Sequence, residues 1–374
     1  MSEDSGKGAG QRLAQFDGLR GIAAVLVFSV HFISLLAPSV PAGTVTAYLV
    51  PLFDRIAHSG TDLFFIVSGF LIYGMLLRRP RPMRKFLLRR FDRIYPPFAI
   101  MLAIYLSLSI AFPEVSRLPP GFGAICRDVL MNLLLLPGII DMPPIITVSW
   151  SLSYLLVFYL AAPLLIEGLD LRSWSRSRRV ILLAAMIFGW FLLGYFFGWH
   201  IRFVMFLTGM LVYEAGEAWP DGGSSALAAT AGVSVVAVML GLPETSLNPV
   251  FRFVAISAGY GCIVFCCLRA GSLLSRMLRA PALVGFGRMS LSYFLTHGLA
   301  LKIVGLIAAS FLVTHPDQMW FWALLLPAFG LSVALTKPFY LWIEQRSAKI
   351  GRLTLPPWAR YSGLLPSKAE GLSP

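Results

Sequence analysis

The chain has 374 residues, of which 57% are hydrophobic and only 13% are charged. A water-soluble fold cannot bury so many apolar residues, so the composition excludes an ordinary globular protein and indicates a membrane protein with many spans. The net charge of +13 fits basic loops beside acidic lipids, and no nucleic-acid partner is needed to explain it.

The N-terminal segment 1–15 is polar and lacks the apolar centre of a cleavable signal peptide. We therefore expect a disordered cytoplasmic N-terminus followed by a retained first span. A bilayer-crossing helix needs roughly 17–20 apolar residues. Ten stretches meet this need, at about 21–38, 62–77, 97–112, 148–167, 180–199, 201–216, 226–242, 251–268, 289–313 and 320–343. The sequence predicts an all-α, polytopic membrane protein whose ten transmembrane helices form one bundle.

Lysine and arginine collect in a few segments between these stretches. Most of the 31 basic residues lie in 78–93, 171–179 and 269–288 and near the two ends of the chain. Ten spans place all of these segments on one face, so both termini are predicted to be cytoplasmic. The domain is expected to cover 16–346, with a cytoplasmic tail over 347–374.

Two shorter apolar runs need a different assignment. If the run 129–140 crossed the membrane, the later basic loops would fall on alternating sides, so we predict that it is re-entrant or interfacial on the outer side. The run 45–52 is too short to cross. The pair Pro96-Pro97 is expected to end a surface helix and start the third span.

The first span carries two residues that a plain membrane anchor does not need. Arg20 and His31 are eleven residues apart, which is close to three helical turns, so both lie on one helix face about 16 Å apart. His31 falls near mid-membrane, where an ionisable residue is costly and commonly functional. Alone, His31 could simply bond a neighbouring helix and Arg20 could anchor to lipid, but the shared face favours a joint role.

Six segments, in order, resemble the acyltransferase-3 family of bacterial membrane acyltransferases. They are FDGLRGIAAVLVFSVHF (16–32), GTDLFFIVSGFLI (60–72), RRFDRIYPPF (89–98), SWSLSYLLVFYLAAPLL (149–165), FGRMSLSYFLTHGL (286–299) and FYLWIEQ (339–345). The resemblance implies an O-acyltransferase of the bacterial inner membrane. Its donor would be acyl-CoA, most simply acetyl-CoA, and its acceptor a hydroxyl of lipopolysaccharide, exopolysaccharide or a related glycan or glycolipid.

The resemblance also implies roles for four arginines near the cytoplasmic face and for His31 near mid-membrane. Arg20, Arg89, Arg90 and Arg93 would bind the phosphates of the nucleotide, because guanidinium groups pair well with phosphate oxygens. His31 would act as general base on the acceptor hydroxyl, or would itself carry the acyl group; the sequence leaves both mechanisms open.

Asp62 is expected to begin the second span. There it would be either a helix N-cap or a catalytic partner that orients His31. Gly69, further along the same span, is expected to allow close helix packing. Glu344 is expected to form an ion pair at the end of the last span.

Further residues are assigned to substrate binding. They are Trp150, Ser153, Tyr159, His297 and Lys302. The chain departs from the family at Leu155, where many members carry glutamate. This departure leaves open a catalytically silent relative, and the polar residues inside the bundle leave open a transporter or acyl-passing channel.

The four cysteines show no metal-ligand spacing with histidine, so no metal is expected. The sequence predicts no particular oligomeric state.

Overall fold

The computed structural model describes residues 2–80, 82–218, 225–242, 246–267, 273–314 and 317–347. Helices fill these ranges, and no strand occurs within them. The helices are α1 (Ser2–Leu36), α2 (Val45–Arg78), α3 (Met83–Ala111), α4 (Phe122–Leu133), α5 (Ser149–Gly168), α6 (Arg176–Phe197), α7 (Phe203–Ala218), α8 (Ser225–Gly241), α9 (Pro249–Cys267), α10 (Leu273–Leu278), α11 (Pro281–Arg288), α12 (Ser290–Thr314) and α13 (Gln318–Phe339). Helix α1 includes most of the segment 1–15, and residues 348–374 of the predicted tail lie outside the described ranges.

In the described part of the chain, eight helices are long and apolar enough to cross a membrane. They are α1, α2, α3, α5, α6, α9, α12 and α13. Helices α7 and α8 are shorter and coincide with the two remaining predicted spans. The all-helical membrane fold is therefore confirmed, whereas the count of ten and the side of the termini stay predictions.

The second helix starts much earlier than the hydropathy pattern indicates. Helix α2 begins at Val45 after Thr44, whose side chain accepts a hydrogen bond from the Ala47 amide at 3.3 Å. The run 45–52 is thus the first part of α2, and the prediction that Asp62 begins its helix is wrong. Polar residues in the first half of α2 interrupt the hydropathy pattern but do not end the helix. One of them, Arg55, has a partner inside the protein, because its side chain donates to the Leu240 carbonyl at 2.7 Å.

Helix α3 passes through Pro96 and Pro97 without a break, so the predicted helix boundary there is also wrong. Proline removes one backbone donor and disturbs one turn. Membrane helices tolerate this because their alternative, an irregular backbone exposed to lipid, costs more. The basic residues of 83–93 and the third predicted span therefore belong to one continuous helix.

The run 129–140 does not form one long helix. Helix α4 ends at Leu133, and its twelve residues are too few to cross a bilayer. The following loop is tied to α4 through Asn132, whose side chain accepts from the Ile145 amide at 2.9 Å and donates to the Asp128 carbonyl at 2.8 Å. This supports the prediction that the run does not span; whether it dips into the membrane stays a prediction.

Helices α2 and α7 pack closely because two glycines face each other's backbones. A Cβ atom at Gly69 would overlap the Phe206 carbonyl, and one at Gly209 would overlap the Ile66 carbonyl. The expectation that Gly69 allows close packing is confirmed. One end of the same helix pair is fixed by Glu214, which accepts two hydrogen bonds from Arg179, at 2.6 and 3.1 Å, and one from the Tyr73 hydroxyl at 2.6 Å.

Candidate functional site

His31 faces the bundle and lies beside a second histidine. Its ring centroid is 5.2 Å from that of His297 on α12, and the rings are inclined by 40°. His31 is half-buried, and among the described residues it has no hydrogen-bond partner. Its ring nitrogens therefore remain available to a substrate group that reaches this point of the bundle.

His297 is held more tightly than His31. It is 0% exposed, and its ring stacks on Tyr293 at 5.4 Å with an angle of 9°. Its Nδ1 lies 2.8 Å from the Tyr293 carbonyl oxygen, which can only accept, so Nδ1 carries the hydrogen. The Tyr293 hydroxyl is fixed in turn by Ser332 at 2.7 Å. In the neutral ring Nε2 is then an acceptor, and it is buried without a partner among the described residues.

Lys302 lies about five residues beyond His297 on the same helix, and its side chain is exposed. Its Nζ is 5.0 Å from the centre of the Tyr105 ring of α3. The Tyr105 hydroxyl in turn lies next to Gly298, where an added Cβ would be 3.0 Å from it. Tyr105 therefore bridges the level of His297 and the level of Lys302, a connection for which the sequence offered no signal.

Arg20 lies at the centre of a basic cluster at the predicted cytoplasmic end. Arg93 and Arg90 of α3 are close enough to act on it electrostatically, as is Asp17. The Nη1 atom of Arg20 is 3.8 Å from the Asp17 carboxylate, while its buried Nε has no partner among the described residues. Arg89, on the same helix as Arg90, is half-buried. The structure thus brings together three of the four predicted phosphate-binding arginines.

Glu344 closes this basic cluster from the last helix. It lies in a short π-helical segment, Tyr340–Glu344, and such widened turns are common near functional sites. Ser292 donates to its Oε2 from the amide at 3.2 Å and from the hydroxyl at 2.6 Å. Arg93 and Arg20 act on it electrostatically, but the expected direct ion pair is absent among the described residues.

Asp62 is not the partner of His31. It is buried in the middle of α2, and its carboxylate accepts a hydrogen bond of 2.6 Å from Arg202, which precedes α7. The guanidinium of Arg202 lies 5.1 Å from the centre of the Trp150 ring. The geometry therefore assigns Asp62 to a partly buried ion pair under an aromatic residue, and its predicted contact with His31 is wrong. Trp150 belongs to this cluster with Asp62 and Arg202.

The remaining predicted residues lie on α5. The Ser153 hydroxyl donates to the Pro137 carbonyl and is 0% exposed, so it holds the loop before the helix. Tyr159 packs beside Arg90, whose guanidinium is 5.4 Å from its ring centre, and so lies with the basic cluster. Leu155 is 3% exposed and packs in the core. The roles assigned to Ser153 and Tyr159 in substrate binding stay predictions.

An apolar cavity of about 530 Å³ lies between α3 and α5 next to this cluster. Arg84 and Arg90 reach its wall, and Leu156, Leu135 and Tyr159 form part of its lining. Leu156 lines this cavity, whereas its neighbour Leu155 packs in the core.

Comparison with solved structures returns no match. Among characterised proteins, the acyltransferase MdmB of Streptomyces mycarofaciens is 31% identical over 160 residues, which are 41% of this chain and 39% of the relative. The chain thus aligns with well under half of that relative. The family profile described as an acyltransferase domain matches residues 13–337, which is most of the chain. This range includes five of the six segments that resemble the acyltransferase-3 family and ends just before the sixth, at 339–345. The chain therefore belongs to this acyltransferase family.

Proposed function

We propose that this protein transfers an acyl group, most simply acetyl, from acyl-CoA to a hydroxyl of a surface or exported glycan. The enzyme would work in the cytoplasmic membrane of a bacterium, with the donor arriving from the cytosol. The observation that carries the proposal is the position of His31, which is half-buried inside the bundle, without a hydrogen-bond partner among the described residues, and next to a histidine of fixed tautomer.

His31 suits the proton transfer that the reaction needs. The acceptor oxygen forms a bond to the thioester carbonyl carbon while its proton passes to an imidazole nitrogen of His31. The carbon–sulfur bond then breaks, and the proton on His31 passes to the sulfur, which leaves as the thiol of coenzyme A. Imidazole serves both steps because its ordinary pKa lies near neutrality. An acyl-imidazole on His31 would use the same residue as nucleophile.

The basic cluster supports a phosphorylated donor. Arg20, Arg90 and Arg93 repel one another, so their close approach favours an anion between them. The buried Nε of Arg20 is a donor without a partner among the described residues, and phosphate oxygens accept from such donors. The distance from Arg20 to His31 along α1, about 16 Å, is of the same order as an extended pantetheine arm.

The experiment is coenzyme A release from acetyl-CoA by the purified protein in detergent. We expect slow release in the wild type and a loss of at least about 100-fold in His31→Ala, because a general base contributes that much. His200→Ala is the matched control, since the ring of His200 lies 2.8 Å from the Tyr154 hydroxyl and contacts neither His31 nor His297 among the described residues. Equal release by wild type and His31→Ala would exclude His31 from the mechanism. If no form released coenzyme A, the proposal that acyl-CoA is the donor would be contradicted.

The glycan part of the proposal has its own test. Surface glycans from cells with and without the gene would be compared for ester content. A missing ester in the deletion strain, restored by the wild-type gene but not by His31→Ala, is the expected result. An unchanged set of esters would contradict a glycan acceptor.

A further inference from the structure

Two cations converge on the side of His31 that lies away from the basic cluster. Lys302 lies on α12 about 7.5 Å beyond His297, toward the end that is predicted to be outside. Arg117 lies in the segment between α3 and α4, and its Nη1 donates to the Thr147 hydroxyl at 3.1 Å. Both side chains are exposed, and neither belongs to the proposed donor site.

The contacts of Tyr105 place Lys302 beside the histidine pair. The Tyr105 ring lies under the Lys302 ammonium, and the Tyr105 hydroxyl lies next to Gly298, the neighbour of His297. Arg117 acts electrostatically on His31, Tyr105 and Lys302, which belong to three different helices. From its loop, where it is bonded to Thr147, Arg117 is therefore within electrostatic range of all three side chains.

Among the residues that the structure describes, no carboxylate pairs with either cation. Within the described ranges, neither Arg117 nor Lys302 takes part in an ion pair, whereas other basic residues on the outer side do: Arg127 pairs with Asp128 and Arg202 with Asp62. Two uncompensated cations near a site of low polarity repel each other and raise the local concentration of anions. The arrangement is unfavourable in the free protein and becomes favourable when an anion lies between them.

We propose that Arg117, Lys302 and Tyr105 form an oxyanion site for the acceptor. The inference deepens the proposed function, on which it rests, by giving the acceptor a negative charge. The acceptor would carry a carboxylate or phosphate near the hydroxyl that is acylated. The two cations bind the anion, Tyr105 provides a ring for the sugar and a hydroxyl at the level of His297, and the hydroxyl of the acceptor then points to His31.

The test compares acetyl transfer to three soluble probes by purified protein in detergent, with acetyl-CoA in excess. Methyl glucoside is neutral, glucuronate supplies a carboxylate, and glucose 1-phosphate supplies a phosphate. We expect kcat/KM for at least one anionic probe to exceed that for methyl glucoside by about five- to tenfold, as charge-assisted hydrogen bonds provide. For each anionic probe, the ratio of its kcat/KM to that of methyl glucoside is calculated. The probe with the larger ratio identifies the preferred anion.

The variants Arg117→Gln and Lys302→Gln should each reduce this ratio, and together they should bring it close to one. Arg127→Gln is the matched control because its cation lies on the same predicted side but already has a carboxylate partner. As a second measurement, glucuronate or glucose 1-phosphate should raise the unfolding temperature of the wild type and not that of the double variant.

The inference is overturned if the wild type shows neither a kinetic preference for an anionic probe nor stabilisation by one. It is equally overturned if the preference survives in the double variant. Failure of the proposed function would give another result. Coenzyme A would then not be released from acetyl-CoA, whether a probe is present or absent.

Discussion

The hydrogen bond from the His297 ring to the Tyr293 carbonyl decides what that residue can do for His31. With Nδ1–H donated to the Tyr293 carbonyl, Nε2 can accept a proton or a hydrogen bond but cannot donate one. A buried acceptor without a partner is costly, so a donor near it is favoured. The closest charged or polar ring is that of His31, 5.2 Å away between centroids. His297 is thus suited to position His31 and to favour one of its tautomers.

We expect His297→Gln to lower kcat by up to about 100-fold with little change in KM for acetyl-CoA, because misplacement of a base costs turnover rather than donor binding. The measurement is steady-state coenzyme A release over a range of pH, since a positioning residue also changes the pH profile of the base. Tyr293→Phe is the control: it keeps the stacked ring and the backbone carbonyl, and removes only the hydroxyl bonded to Ser332. Wild-type kcat and pH profile in His297→Gln would exclude the positioning role.

The pair Arg20 and His31 could be predicted because both residues lie on one helix, where spacing alone fixes the face. The pairing of Asp62 with Arg202 could not, since these residues are 140 positions apart and nothing in the local sequence of either indicates the other. Likewise, Tyr105 is one of many aromatic residues in apolar spans. Only the packing of α3 against α12 distinguishes it.

At the scale of helices, each predicted span overlaps a helix of the structure, but hydropathy did not locate the helix ends. Helix α2 has 34 residues, about twice the predicted span, because polar residues in its first half find partners such as the Leu240 carbonyl and the Asp54 carbonyl. A helix continues wherever its backbone remains bonded. Hydropathy identifies the apolar part of a helix. The ends of the helix depend on caps and tertiary contacts, which hydropathy does not measure.

The crossing of α2 and α7 gives a prediction about stability. Gly209→Ala should destabilise the protein by about 1–3 kcal/mol, because the new methyl group overlaps the Ile66 carbonyl and must push the helices apart. Thermal unfolding in detergent, followed by circular dichroism, measures the change.

Gly189→Ala on α6 is the matched control, since nothing lies within 4 Å of the added Cβ and alanine is the better helix former. We expect its unfolding temperature to equal or exceed that of the wild type. If Gly209→Ala were as stable as Gly189→Ala, the helices would not be in contact at this glycine.

At the scale of the whole molecule, composition was enough to predict the class of fold. A chain with 57% hydrophobic residues has to use lipid as its solvent, and a lipid-exposed backbone has to bond internally, so a helical bundle follows. The order of helices around the bundle does not follow from composition. It depends on close contacts such as those of Gly69 and Gly209 and on ion pairs such as Asp62 with Arg202.

The sidedness of the bundle can be tested through the parity of its spans. With ten spans and a non-spanning run at 129–140, Cys126 lies outside and the loop after α5 lies in the cytoplasm. Cys126 and Ser173 are both exposed. We compare two single-cysteine forms in which the other native cysteines are replaced by serine: one retains Cys126, and the other carries Ser173→Cys with Cys126 also replaced.

In intact cells whose outer surface is accessible, a membrane-impermeant maleimide should label Cys126 and leave the Ser173→Cys form unlabelled until the cells are lysed. The reason is that α5 carries the chain across the membrane between the two positions, whereas α4 is too short to do so. Labelling of both forms in intact cells would mean that the run 129–140 crosses. The basic segment 171–179 would then face outward, and the assignment of donor and acceptor sites to opposite sides of His31 would have to be reversed or abandoned.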